Sequence, residues 1–223
     1  MLFQDRKIKF ILFSATFALS SLGSSAACAA GMTTQATVLT AYRKGYPPQQ
    51  VVSNLSTALL LSMKTDPSGT YQRRFHILYP AVKSEFNFPM IARLTLGTSW
   101  TKLNPSQQHQ FVQALTKYSV ANYAMHFDHY AGQKFTLSPP KMPVGGCAIV
   151  TSNLVAKGRS KNRFVYLLGK SGGRWQIVNV VTDGVSALAM EKAAFTAVLK
   201  KDGFGALLAG LNAHTSNPAH GYN

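Results

Sequence analysis

The chain has 223 residues, enough for one domain with a substantial interior or an internal cavity, and no repeat, low-complexity tract or long linker divides it. Seven acidic residues stand against 23 basic ones, giving a formal charge of +16. The six acids beyond the first thirty residues, Asp66, Glu85, Asp128, Asp183, Glu191 and Asp202, form no close pair in sequence, which argues against glycosidase-type chemistry.

Arg6, Lys7 and Lys9 precede the uncharged FILFSATFALSSLG and the small residues SSAACAAG. These are the charged, apolar and cleavage regions of a secretory signal peptide, expected over 1–30 with cleavage after Ala29 or Ala30. The apolar run is shorter than the roughly 20 residues a spanning helix needs. Its removal takes three basic residues and one acid, lowering the formal charge from +16 to +14. Export moves the expected counter-ions of this basic surface from nucleic acid to anionic lipid headgroups, membrane surfaces or acidic protein partners. Cys28 leaves with the leader, so Cys147 remains as a single thiol and stability must come from a hydrophobic core.

The folded domain is expected over 31–213, with a flexible tail at 214–223. Pro47-Pro48 opens QQVVSNLSTALLLSMK, whose Val51, Val52, Leu55, Leu59 and Met63 recur at helical spacing. A second helix, TYQRRFHILYPAVKSEF, carries Pro80, expected to kink or interrupt it. The short FPMIARLTLG stops at Gly97, and Asn104-Pro105-Ser106 starts the longest periodic segment, expected to close at Gly132. KFTLSPP, GCAIVTSNLVAKG, RFVYLLGK and RWQIVNVV then read as four strands of an antiparallel meander. The helices ALAMEKAAFTAVLKK and FGALLAGLN follow. The fold class is therefore α+β, a four-stranded meander packed against several helices. RFVYLLG and WQIVNVV are apolar on both parities, so both sheet faces are expected to be covered by helices, more protein, a partner or a hydrophobic ligand.

Catalytic patterns are sparse. His126, Asp128 and His129 in HFDHY lack a third ligand on the helical face the histidines share, which favours helix-end histidines over a metal site. Gly184-Val185-Ser186 begins a nucleophile elbow but lacks its closing glycine, so Ser186 reads as a helix cap. Cys147 reads as a small buried hydrophobe.

FNFPMIARLTLGTSWTKLNPSQQHQFVQALTKYSVANYAMHFDHYAGQKF, WQIVNVVTDGVSALAMEKAAF and GFGALLAGL together resemble the MlaC or toluene-tolerance family of periplasmic phospholipid-binding proteins. VANYAMHFDHYAGQKF looks like the hopanoid-associated branch, HpnM. The resemblance spans Pro47 to Leu211 and includes Leu96-Gly97, Trp100, Gln107, Phe111, Tyr123, Tyr130, Gly132, Trp175, Gly184 and Phe195. Two positions depart from the family pattern, where Asn87 and Asn179 stand in place of acids. The resemblance implies an NTF2-like, MlaC-like body enclosing a hydrophobic lipid cavity, with neither cofactor nor enzymatic activity. It also implies a monomer that carries phospholipid, or a hopanoid, between an outer-membrane lipoprotein complex and an inner-membrane ABC transporter with its substrate-binding ring.

Pocket candidates are Leu94, Trp100, Phe111, Leu115, Tyr118, Phe135, Leu137, Ile149, Val165, Leu167, Val178 and Val180, with strand parity open. Candidates for headgroup or partner docking are Arg73, Arg74, Arg93, Lys102, Arg159, Lys161 and Arg163. The rival readings are an exported adaptor that meets a protein through an apolar surface and, less favoured, a hydrolase using Ser186.

Overall fold

The computed structural model describes residues 46–65, 70–143, 145–157 and 159–216. The leader expected at 1–30 lies outside them. No described helix is long and apolar enough to cross a membrane.

Among the described residues, four α-helices precede the sheet. Helix α1, Pro48–Lys64, begins with proline at its first position and buries Val51, Val52, Leu55, Leu59 and Met63 along one stripe. Helix α2, Tyr71–Glu85, is capped by the Thr70 hydroxyl and continues through Pro80. Pro80 and His76, the residue whose carbonyl loses its donor, are both exposed, so water can satisfy that carbonyl. Helix α3, Phe88–Leu96, ends at Gly97, whose φ of 53° favours glycine. A 3-10 segment, Gly97–Lys102, leads to α4, Pro105–His126, which opens with a reciprocal capping box between Asn104 and Gln107.

Helix α4 stops six residues before the expected Gly132. Phe127 leaves the helical path and is only 3% exposed. Its ring packs against Tyr123, Phe135 and Phe164, with centroids 6.0 to 6.3 Å away. Burial of this aromatic outweighs one more helical turn.

The sheet has five strands, not four: β1 Lys134–Leu137, β2 Ala148–Ala156, β3 Arg159–Ser171, β4 Arg174–Thr182 and β5 Val185–Ser186, antiparallel in sequence order. Asp183-Gly184, read from sequence as the joint into a helix, first makes a tight hairpin. Both residues have positive φ, 50° and 91°, as a primed turn requires. The Asp183 carboxylate fixes the turn by accepting from Asn162 Nδ2 and Arg163 N, each at 2.8 Å.

The strands do alternate in burial. Ala148, Val150, Leu154, Phe164, Tyr166 and Leu168 are buried, while Ile149, Val165 and Leu167 point to the other face and are half-buried. Apolar composition on both parities therefore does not produce equal burial of both faces. A bulge at Leu167/Leu168 pairs Leu167 with Asn179 and Leu168 with Ile177, leaving Val178 as the extra residue of β4.

Helix α1 packs against β1, β2 and β4, while α3 and α5 pack against β4 and each other. Helix α5, Ala187–Ser216, is broken at Gly203, where φ is 81° and ψ is 179°, consistent with the two helices expected here. It continues into the span read as a tail. His214 Nε2 lies 2.8 Å from Asn122 Oδ1, and the Tyr71 hydroxyl donates to the Thr215 carbonyl at 2.7 Å. Residues 217–223 lie outside the description.

Candidate lipid-binding cleft

A cleft forms where β4, α3, α4 and the start of α5 meet. Phe86, Phe88, Ile91, Val178, Val180, Ala187 and Leu188 give it apolar walls, and Ser119, Asn122, Tyr123, Asn179 and Glu191 supply the polar remainder. Its volume is about 40 Å³, room for roughly three waters. This cleft is far smaller than the lipid cavity expected from sequence, and aromatic side chains crowd its wall. Phe86 and Phe88 stack at 5.7 Å, and Phe86 lies 5.9 Å from the Tyr123 ring.

Two asparagines shape the walls. Asn87 Oδ1 accepts from Met90 N at 3.1 Å and starts α3, while its own N–H donates to the Ile177 carbonyl at 2.9 Å, holding α3 to β4. Asn179 Oδ1 accepts from Leu188 N at 3.2 Å, and its amide exchanges hydrogen bonds with the Ser186 hydroxyl. Ser186 Oγ also accepts from Ala189 N at 3.2 Å. Ser186 therefore caps α5, its hydroxyl bonded to Asn179 and Ala189 rather than to a histidine or an acid.

Glu191 is the acid of the cleft. It shares a helical stripe with Leu188 and Phe195 at spacings of three and four, which turns it inward. Burial pushes its carboxyl up to about 8, so it is mostly protonated at neutral pH. Burial also raises the Tyr123 hydroxyl well above its ordinary value, with smaller contributions from Tyr166 and Glu191. No lysine, arginine or histidine lines the cleft among the described residues.

Of the pocket candidates named from sequence, Val178 and Val180 line this cleft. Phe111 and Leu115 lie in the core with no exposure, Phe111 edge-on to Phe195 at 5.9 Å. Tyr118 packs on Phe195 and His214. Phe135 sits between Phe127 and Phe164, and Leu137 packs against the same core from β1. Ile149, Val165 and Leu167 occupy the half-buried sheet face. Leu94 is 37% exposed, and Trp100 lies beneath the Arg93 guanidinium at 6.0 Å.

Arg73, Arg74, Arg93, Lys102, Lys161 and Arg163 do not reach the cleft lining. Arg73, Arg93, Lys102, Lys161 and Arg163 are exposed, and Arg159 begins β3. Arg74 Nε instead donates to the Ala124 carbonyl at 2.7 Å, joining α2 to α4. His126 Nδ1 lies 2.7 Å from the Asn122 carbonyl oxygen, while Asp128 and His129 are exposed. No group of three potential metal-binding side chains occurs among the described residues.

Sequence reasoning passed over Phe86, Phe88, Ile91, Ser119, Asn122, Tyr123, Ala187, Leu188 and Glu191 as lining residues. The readable signal was Glu191, an acid on the apolar stripe of an alanine-rich helix. A search for paired carboxylates discards such a residue because it is solitary.

Comparison with known proteins identifies the architecture. The chain is 23% identical over 164 residues to the toluene tolerance protein Ttg2D of Pseudomonas putida, covering 70% of this chain and 74% of that protein. A phospholipid-binding protein from Ralstonia solanacearum, solved in complex with a phospholipid, superposes with a TM-score of 0.68 at 21% identity. That match covers 78% of this chain and 99% of the solved one. The family model described as MlaC protein matches residues 52–213, and the chain belongs to the MlaC family.

Proposed function

We propose that this protein is an exported, periplasmic lipid carrier, made with a leader at 1–30 and binding phospholipid between β4 and helices α3 to α5. The observation carrying this reading is the partly open cleft, with apolar walls along α3 and β4, in an MlaC-family fold whose solved relative holds a phospholipid. Each buried methylene contributes about 0.8 kcal/mol, so an acyl chain leaves a bilayer only for a comparably apolar enclosure. A cleft of about 40 Å³ cannot hold such a chain unless α3 and α5 move away from β4. Loading in this reading opens the cleft, and the acyl chains lie between β4 and the Phe86 and Phe88 wall.

In this reading the carrier moves between an outer-membrane lipoprotein complex and an inner-membrane ABC transporter with its substrate-binding ring. The exposed Arg73, Arg93, Lys102 and Arg163 are positioned to meet anionic headgroups or acidic partner surfaces. Purified protein should release phospholipid on organic extraction and take it up from vesicles, read by mass spectrometry. A triterpenoid mass in the extract would instead identify a hopanoid cargo. No bound lipid and no uptake would sink the carrier reading.

A further inference from the structure

The polar edge of the cleft is built from uncharged groups at neutral pH. Tyr123 is 8% exposed, and neither its hydroxyl nor the Glu191 carboxyl has a hydrogen-bond partner among the described residues. Ser119 stands beside them on α4 and also lines the cleft. Asn122 and Asn179 line it too, but His214, Ser186 and Leu188 already engage their side chains. The unused hydrogen-bonding capacity therefore converges on Glu191, Tyr123 and Ser119. The cleft has room for roughly three waters, whose hydrogen bonds a polar ligand group could replace.

These groups suit some headgroup atoms and reject others. A protonated carboxyl both donates and accepts, as do the phenol and the serine hydroxyl, so the set matches alcohol groups. A phosphate here would bring negative charge into a site without a lining cation and against an acid, an arrangement burial penalises strongly.

We infer that the Glu191–Tyr123 edge, at the rim of the cleft, binds an uncharged, hydroxyl-bearing portion of the lipid headgroup, such as a glycerol folded back from the phosphate, while the phosphate that links it to the acyl-bearing glycerol stays at the solvent-facing mouth. This inference rests on the carrier reading and adds a headgroup preference to it. Tails would lie along Phe88, Ile91, Val178 and Val180, with the head hydroxyls turned towards α4 and α5.

The test measures uptake from phosphatidylcholine vesicles doped with phosphatidylglycerol, phosphatidate or phosphatidylethanolamine of identical acyl chains, at physiological salt. Wild-type protein should prefer phosphatidylglycerol over phosphatidate by about tenfold, the scale of one or two satisfied buried hydrogen bonds. Glu191→Leu should abolish that preference. Tyr123→Phe, which removes only a hydroxyl, should reduce it severalfold and serves where Glu191→Leu does not fold. Equal or better uptake of phosphatidate overturns the headgroup inference and leaves the carrier reading standing. A preference for phosphatidylethanolamine overturns it in favour of Glu191 as an ammonium counter-ion. Full preference in a folded Glu191→Leu protein overturns the assignment of the site. Uptake of none of the three lipids overturns the carrier reading itself.

Discussion

Asn87 and Asn179, the two positions read from sequence as departures from the resembled family's pattern, both act as helix caps. Each places a side-chain oxygen on a backbone N–H at the start of a helix, α3 for Asn87 and α5 for Asn179. Such a cap requires an acceptor, and asparagine serves about as well as aspartate. Asn179→Ala should therefore lower stability by about 1 kcal/mol in urea unfolding, and Asn179→Asp by less, because it keeps the oxygen. Equal losses in the two variants would show that the amide donor to Ser186 matters more than the acceptor. Arg74 carries the opposite lesson. Its charge marked it as a headgroup candidate, yet its guanidinium joins α2 to α4, and nothing in the local sequence separates it from the exposed Arg73.

Among the elements, periodicity revealed the helices and β2 to β4 because each buries a regular set of positions, while the four-residue β1 was read from its alternation alone. The short β5 was hidden, since two residues carry no period and depend on the turn before them. Gly184→Ala tests that turn. At φ 91° with open space around the added methyl, the penalty is backbone strain alone, about 1 to 2 kcal/mol in thermal or urea unfolding. Burial parity was equally hidden, because Val165 and Leu167 are as apolar as their buried neighbours and only the register assigns their face. The candidate site was less legible than the fold. Its lining comes from four elements in two separate stretches of sequence, 86–123 and 178–191, and only Glu191 stands out from its own helix. Ser152 gives a prediction of opposite sign to the turn mutation. Its hydroxyl is buried in β2 without a hydrogen-bond partner among the described residues, so Ser152→Ala should raise stability by about 1 kcal/mol. A loss of stability would reveal a partner to that hydroxyl.

At the scale of the whole molecule, two buried groups set opposing pH dependences. His214 is pushed down to about 4, mainly by burial with His126 as a lesser cause. Between about 4 and its ordinary 6.5 the unfolded chain binds more protons, so stability falls as pH is lowered through that window. Glu191, raised from 4.5 to about 8, binds more protons in the folded chain, so its contribution is lost as pH rises from 4.5 through 8. Glu191→Gln should accordingly narrow the gap in melting temperature between pH 5 and pH 8.5, flattening the alkaline side of the profile while leaving the acidic side. An unchanged alkaline slope would place the titration on another group.

The break at Gly203 divides α5 into segments with different attachments. The first contributes Ala187, Leu188 and Glu191 to the cleft, while the second is held by Leu207, Leu211, His214 and Thr215. With the helical geometry interrupted between them, α5 behaves mechanically as two levers joined at one residue rather than as a rod. The wall beside the cleft is thus attached separately from the far end, which His214 and Thr215 fasten to α4 and α2.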